Sequence, residues 1–86
     1  MKFEGKYLNG KRNGKGKEYN INGELKFEGE YLNGKKNGKG KEYHKEGNLM
    51  FEGEYLDDAK LIGKYYDHEG NIIYELNHTK GEGKWI

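Results

Sequence analysis

The chain repeats itself with a period of 24 residues, and this repeat limits its fold more than any other feature of the sequence. Residues 3–11 recur almost unchanged as residues 27–35, and the first six positions of that block return at 51–56. A second block, residues 13–19, recurs as 37–43. In arrays of such short repeats each unit packs mainly on its neighbours, and several units together build the stable structure.

The later copies of the repeat are less regular than the first two. Residues 57–63 form a stretch that is one residue shorter and has lost two glycines, and residues 80–85 are a remnant of the glycine-spaced block. We therefore divide residues 1–86 into one array, with units at about 3–26, 27–50, 51–73 and a degenerate unit at 74–86. Atypical end units are expected, because the terminal repeats have to cap the stack.

Apolar and charged residues alternate within each unit with the period of a β-strand. On residues 25–31, one face carries Leu25, Phe27, Gly29 and Tyr31, and the other carries Lys26, Glu28 and Glu30. Hydrophobic residues make up only 31% of the chain, too few for a large core. The pattern predicts an all-β fold: an elongated single-layer antiparallel meander of tandem β-hairpin repeats, with about seven or eight strands.

Two kinds of turn are predicted between the strands. Asn22 and Gly23 favour a tight two-residue turn, because Asn-Gly suits the positive φ angles of type I′. Residues 33–38 are predicted to form a longer six-residue loop. The cross-strand pairs that follow from these turns are Ile21–Glu24, Glu18–Phe27, Leu32–Lys39, Tyr31–Gly40 and Glu30–Lys41. This register implies an ion pair between Glu30 and Lys41, and a Tyr31 ring that covers Gly40.

The spacing of aromatic residues and glycines resembles the MORN repeat, the membrane occupation and recognition nexus motif. The residues that carry the resemblance are Phe27, Gly29, Tyr31, the Asn-Gly pairs at 33–34 and 37–38, Gly40 and Gly47. The resemblance extends over essentially the whole chain. It implies an elongated, twisted single-layer sheet of successive hairpins that serves as a scaffold, a dimerisation module or a binding module. Lipid binding is often proposed for this family.

The sequence offers little catalytic chemistry. It has no cysteine, and Thr79 is its one Ser or Thr residue, so a partnered nucleophile is not expected. His44, His68 and His78 do not stand at metal-ligand spacings. We therefore predict a protein that is not an enzyme and has no catalytic residues, no metal site and no cofactor. A formal net charge of +1 gives no reason to expect a nucleic-acid partner. The lack of a long apolar run predicts a cytoplasmic protein, with membrane association left open.

The aromatic residues of the repeat are the first candidate binding surface. Regularly spaced rings on one sheet face suit an extended peptide or a helix from a partner protein. The predicted partner-binding residues are Phe3, Tyr7, Phe27, Tyr31, Phe51 and Tyr55. The alternative is that these rings only pack on one another, as a single-layer sheet requires of its apolar residues.

A basic rim around the longer loops is the second candidate surface. Its predicted residues are Lys11, Arg12, Lys15, Lys35, Lys36 and Lys39, flanked by Lys17 and Lys41. Such a rim suits anionic phospholipid headgroups at a membrane surface. The alternative is that lysines at a sheet edge only discourage aggregation. A third hypothesis is self-association through the edge strands of the array.

Overall fold

The computed structural model describes residues 2–86 and consists of one eight-stranded antiparallel sheet. The strands lie side by side in chain order, which confirms the predicted all-β meander. Extents of 41 × 31 × 14 Å are those of a single layer. Over the described residues there is no helix of a length and hydropathy that would cross a membrane. The strands are β1 (Lys2–Leu8), β2 (Lys11–Tyr19), β3 (Leu25–Leu32), β4 (Lys35–Tyr43), β5 (Leu49–Leu56), β6 (Ala59–Tyr66), β7 (Ile72–Asn77) and β8 (Glu82–Trp85).

The turns within the first three hairpins are the tight ones. In the second hairpin, Asn33 and Gly34 have φ angles of 51° and 86° and connect β3 directly to β4. Two successive residues with positive φ are what a type I′ turn requires. The six-residue loop predicted for residues 33–38 is therefore wrong, since Lys35 already belongs to β4.

The loops between hairpins are longer than predicted. Residues 20–24 separate β2 from β3, and only Gly23 among them has a positive φ, so a type I′ turn cannot form there. The Asn20 side chain stabilises this loop by accepting hydrogen bonds from the backbone N–H groups of Asn22 and Glu24. Ile21 lies in the loop with 91% of its surface exposed, so the predicted Ile21–Glu24 pair is wrong.

These turns change the predicted register within the hairpin. Leu32 faces Lys35 and Tyr31 faces Lys36, not Lys39 and Gly40. Lys41 faces Glu28, so the predicted ion pair between Glu30 and Lys41 is also wrong. The residues that were assigned to the long loop are accommodated in β4 by a β-bulge, where the register shifts between Gly29 and Tyr31. Between hairpins, the prediction that Glu18 faces Phe27 is confirmed.

A row of glycines crosses the sheet at right angles to the strands. Each member pairs with the next in the neighbouring strand, in the order Gly5, Gly16, Gly29, Gly40, Gly53 and Gly63. An added Cβ at Gly29 would lie 2.6 Å from the Lys39 carbonyl oxygen and 2.7 Å from the Gly40 Cα. Backbone atoms cannot move away as a flexible side chain can, so this glycine row is required by packing.

Replacing Gly29 by Ala tests this requirement. We expect the variant to lose about 1–3 kcal/mol of unfolding free energy, because the new methyl group overpacks the strand contact. Gly81→Asn is the control, because Gly81 has open space around its Cβ position and a φ of 67°, in the left-handed region that Asn tolerates. Urea unfolding of both variants measures the difference, and equal midpoints would show that the glycine row is not required.

Candidate functional site

Nine aromatic rings form a continuous chain across one face of the sheet, which we call the aromatic face. Neighbouring ring centroids lie 4.5–5.8 Å apart, and most pairs meet edge to face. This is a favourable geometry, because the positive edge of one ring meets the negative face of the next. In spatial order the chain runs Tyr7, Phe3, Tyr31, Phe27, Tyr55, Phe51, Tyr65, Tyr74 and Trp85.

The middle of this ring chain is the core of the protein. Phe27, Tyr31, Phe51 and Tyr55 are each at most 4% exposed, and Phe3 and Tyr65 pack against them. At the two ends, 59% of Tyr7 and 73% of Trp85 are exposed. The six rings predicted to bind a partner thus pack on one another, as the alternative interpretation held. Their role in partner binding stays a prediction, and exposed ring surface is concentrated at the ends of the chain.

One cation per unit lies over the rings of the aromatic face. The Arg12 guanidinium is 4.0 Å from the Phe3 centroid, and the Lys36 and Lys60 ammonium groups are 4.2 Å and 4.7 Å from the Phe27 and Phe51 centroids. Cation–π contacts of this kind cover rings that a single layer would leave open. Lys60 was not predicted, although the spacing of positions 12, 36 and 60 is the repeat period.

Two carboxylates, the buried Glu18 and the half-buried Glu42, link successive units on the aromatic face. The Tyr31 hydroxyl donates to the Glu18 carboxylate, and the Tyr55 hydroxyl donates to Glu42 at 2.5 Å. Arg12 lies 3.3 Å from Glu18, which compensates the charge of that buried side chain. Burial, reinforced by the neighbouring carboxylate, raises the pKa of both tyrosines above the usual range. Both hydroxyls therefore stay protonated and remain hydrogen-bond donors at physiological pH.

The opposite face, which we call the ionic face, carries alternating charges from strand to strand. One row of residues crosses all eight strands, and glutamate and lysine alternate along it. Each residue of the row therefore faces the opposite charge on the neighbouring strand. In strand order the row is Glu4, Lys17, Glu28, Lys41, Glu52, Lys64, Glu75 and Lys84. A shallow groove of about 610 Å³ crosses the first four strands here, floored by the glycine row. The Tyr43 hydroxyl donates a hydrogen bond to Glu28 at 2.5 Å. Burial is the larger cause and this hydrogen bond the second cause that raise the pKa of Tyr43 to about 12.

The structure distributes the predicted basic rim over three places. Arg12 and Lys36 lie on the aromatic face, over the rings. Lys15 and Lys39 face glutamates of the next hairpin on the ionic face. Lys11 and Lys35 lie at the tight turns, opposite Leu8 and Leu32, and are exposed. The six residues therefore do not form one continuous surface, and only the last pair lies at a turn edge as expected.

An open cavity of about 640 Å³ lies at the C-terminal end of the aromatic face. Rings of Tyr55, Tyr65, Tyr74 and Trp85 line it together with the charged side chains Glu42, Asp58 and Lys60. Sequence analysis did not find this site. The sequence feature that could have indicated this site is the set of aromatic residues Tyr65, Tyr74 and Trp85 in the less regular C-terminal units.

The cavity exists because the last unit departs from the repeat. In the regular units, a tyrosine four residues after Phe27 or Phe51 packs over a glycine of the preceding strand, as Tyr55 does over Gly40. The residue four positions after Tyr74 is His78, which is exposed in the turn that follows β7. No tyrosine therefore fills the corresponding space between β6 and β7.

Two histidines on neighbouring loops between hairpins are brought together. The rings of His44 and His68 stack with centroids 4.1 Å apart, and Glu46 lies 3.5 Å from His68 Nδ1. Because the third unit is one residue shorter, the loop position of His44 is occupied by Asp67 in the next loop and His68 corresponds to Lys45, so the repeat itself did not predict this contact. Across residues 2–86, however, no three His, Asp or Glu side chains gather as a metal site would require.

Alanine substitution at the repeated tyrosine position separates core rings from exposed ones. We expect Tyr31→Ala and Tyr55→Ala each to cost about 3 kcal/mol or more of unfolding free energy, because each removes a buried ring and one of the two donor side chains of a glutamate carboxylate. Tyr7→Ala is the matched control at the same repeat position and should cost under about 1 kcal/mol, because its ring is mostly exposed. Chemical denaturation provides the measurement, and three equal losses would contradict the burial pattern.

Comparison with known proteins agrees with this architecture. The family model of the MORN repeat matches residues 3–24 and 27–49, just over half of the chain. No curated protein matches the chain. MORN repeats are a family of repeat binding modules and are generally not enzymes. The two matched segments start at Phe3 and Phe27, the same two repeat units that were identified from the sequence, and the chain belongs to the MORN repeat family.

Proposed function

We propose that the chain is a non-catalytic scaffold that binds a segment of a partner protein in the open cavity of the aromatic face. The observation that carries this proposal is the cavity of about 640 Å³ lined by Tyr65, Tyr74 and Trp85. Its volume lies within the usual range for a binding pocket, and aromatic side chains are the residues most enriched at protein interfaces. Apart from Tyr7 at the opposite edge, the remaining rings are engaged in the core, so this end of the face offers a partner several aromatic side chains together.

The polar residues of the cavity suit a protein segment with mixed character. Lys60 lies 3.4 Å from Glu42 and 3.1 Å from the Tyr65 hydroxyl, so its position is fixed before a partner arrives. Asp58 adds a carboxylate at the turn side of the cavity. Side chains that are ordered in advance lose little conformational entropy on binding, which favours affinity.

The chemistry of the described residues also supports a role without catalysis. The one Ser or Thr hydroxyl of the chain, on Thr79, donates to the Asn77 side chain within its turn. The carboxylates of Glu18 and Glu42 are engaged by tyrosine hydroxyls and by basic side chains. These groups stabilise the sheet, and none is positioned beside a partnered nucleophile.

A displayed peptide library tests the proposed binding site. Peptides selected on the whole chain should be rich in apolar or aromatic residues and should change the fluorescence of Trp85, the single tryptophan of the chain. Because a central aromatic residue often dominates an interface, Trp85→Ala should weaken binding more than about tenfold in calorimetry. Leu32→Ala, on the ionic face, is the matched control and should bind as the wild type does. Selected peptides that bind equally well to Trp85→Ala would refute the site.

A second candidate function is attachment to an anionic membrane through the side of the sheet that carries the tight turns at residues 9–10, 33–34 and 57–58. The observation that favours it is a row of exposed leucines at the tight turns, with Leu8, Leu32 and Leu56 each more than half exposed. Lys11 and Lys35 lie directly opposite the first two of these leucines. Proteins that bind at a membrane interface usually combine apolar side chains, which insert into the lipid, with basic side chains, which bind the anionic headgroups.

Sedimentation with liposomes tests this second candidate. Vesicles containing phosphatidylserine should bind the chain at low salt, and the exchange of Lys11 and Lys35 for Glu should abolish binding, because each basic group near the surface contributes about 1 kcal/mol. An exchange of Lys26 and Lys45 for Glu is the control with the same change of charge, because both residues are exposed and lie away from the tight turns. Absence of binding by the unaltered chain at low salt would exclude the membrane function.

A further inference from the structure

The sheet has two unpaired edges, and their residues are complementary to each other. The strand β1 pairs only with β2, and β8 pairs only with β7. We propose that the chain associates head to tail with a second copy of itself, β8 of one copy pairing with β1 of the next so that the sheet continues across the seam. This inference does not depend on the peptide-binding function proposed above.

The seam would reproduce a junction that the chain already contains. Where the first hairpin meets the second, Gly16 faces Gly29, Lys17 faces Glu28 and Glu18 faces Phe27. The edge strand β8 has the same spacing as β2, with Gly83 and Lys84 at the positions of Gly16 and Lys17. In the same register, β8 would place Gly83, Lys84 and Trp85 opposite Gly5, Glu4 and Phe3 of the next copy.

The strongest observation is a paired reversal of charge at the two edges. In the internal junctions, Lys15 faces Glu30 and Lys39 faces Glu54. The corresponding residue of β1 is Lys6 instead of a glutamate, and the corresponding residue of β8 is Glu82 instead of a lysine. Either reversal alone would set like charges opposite each other, which destabilises a strand pair. Together they set Glu82 of one copy opposite Lys6 of the next.

The rings and glycines at the edges fit the same seam. Tyr7 is 59% exposed, whereas Tyr31 at the same repeat position is 4% exposed because the preceding unit covers it. Conversely, the atoms nearest to the Cβ position of Gly16 come from two rings, Phe3 and Tyr31, whereas the three nearest atoms at Gly83 all belong to Tyr74. In the seam, Tyr7 of the next copy would occupy the open side of Gly83. The ring chain would then run on from Trp85 of one copy to Tyr7 of the next.

A seam of this kind joins two different edges, β8 of one copy and β1 of the next. A dimer therefore still has one free β1 and one free β8, and each can pair with a further copy. Such a heterologous contact produces an open series of oligomers unless a ring closes. The near-neutral chain, with a formal net charge of +1, provides little repulsion against this growth.

Sedimentation velocity over a wide concentration range tests the seam, using variants in which the charges at Lys6 and Glu82 are exchanged. The unaltered chain should form a concentration-dependent series of oligomers. Lys6→Glu and Glu82→Lys should each weaken association by about tenfold, because each replaces an attractive cross-strand pair by a repulsive one. The double variant, and an equimolar mixture of the two single variants, should both regain association, because opposite charges then face each other again. Within one copy these two residues lie seven strands apart, so the rescue reports contact between copies.

The matched control is Lys45→Glu, which makes the same change of charge on an exposed loop away from both edges. It should associate as the unaltered chain does, and circular dichroism should verify that every variant is folded. A chain that stays monomeric at all concentrations would overturn the proposal, and so would single variants that associate normally or a folded double variant that does not. Peptide binding in the cavity should survive Lys6→Glu, so the seam and the peptide site can fail independently.

Discussion

The contact between an aromatic ring and a glycine of the neighbouring strand is the interaction on which this structure depends. A sheet with no second layer has nothing else to cover its apolar residues, so the rings have to cover the sheet and one another. Glycine allows this, because ring atoms of Phe27 and Tyr55 lie within 2.8 Å of the Cβ position of Gly40, where any side chain would hold them away. Each edge-to-face ring pair adds about 0.5–1.5 kcal/mol beyond area burial, and seven of the eight ring contacts in the chain have this geometry. Their sum is comparable with the whole stability of a typical small domain.

The same contact makes each unit depend on the unit beside it. Tyr31 belongs to the second unit, yet its hydroxyl donates to Glu18 of the first, and Tyr55 and Glu42 repeat this bond one unit later. A unit alone would expose its tyrosine ring, and its glutamate would lose the tyrosine hydroxyl as a donor. This arrangement changes in the C-terminal strands, where Tyr65 of β6 faces Phe51 in the way that Glu42 faces Phe27, and Trp85 of β8 packs on Tyr74.

The sequence predicted the sheet, the ring face and the pairing of Glu18 with Phe27, because alternation and repeat spacing are properties of the chain itself. It did not predict which Asn-Gly pair would form a tight turn. The pairs at 22–23, 33–34 and 37–38 are equivalent by local preference, and long-range alignment decides among them. The glycine row requires Gly40 to face both Gly29 and Gly53, which leaves Asn33 and Gly34 as the turn and places Gly38 in a bulged strand. The positions of Arg12 and Lys36 over the rings follow from this register, so they could not be predicted without it.

Because most rings of the aromatic face are buried in the folded sheet, partner recognition has to rely on residues that depart from the regular repeat. The regular units bury their rings and pair their charges, so a perfect array of them would offer a partner only alternating lysine and glutamate. Irregular positions are different. His78 in place of a tyrosine opens a cavity beside Tyr74, and the exchanged charges at Lys6 and Glu82 distinguish the two edges from every internal junction. In a protein built by repetition, departures from the repeat are thus where specific binding can arise, and here they concentrate at the two ends of the sheet.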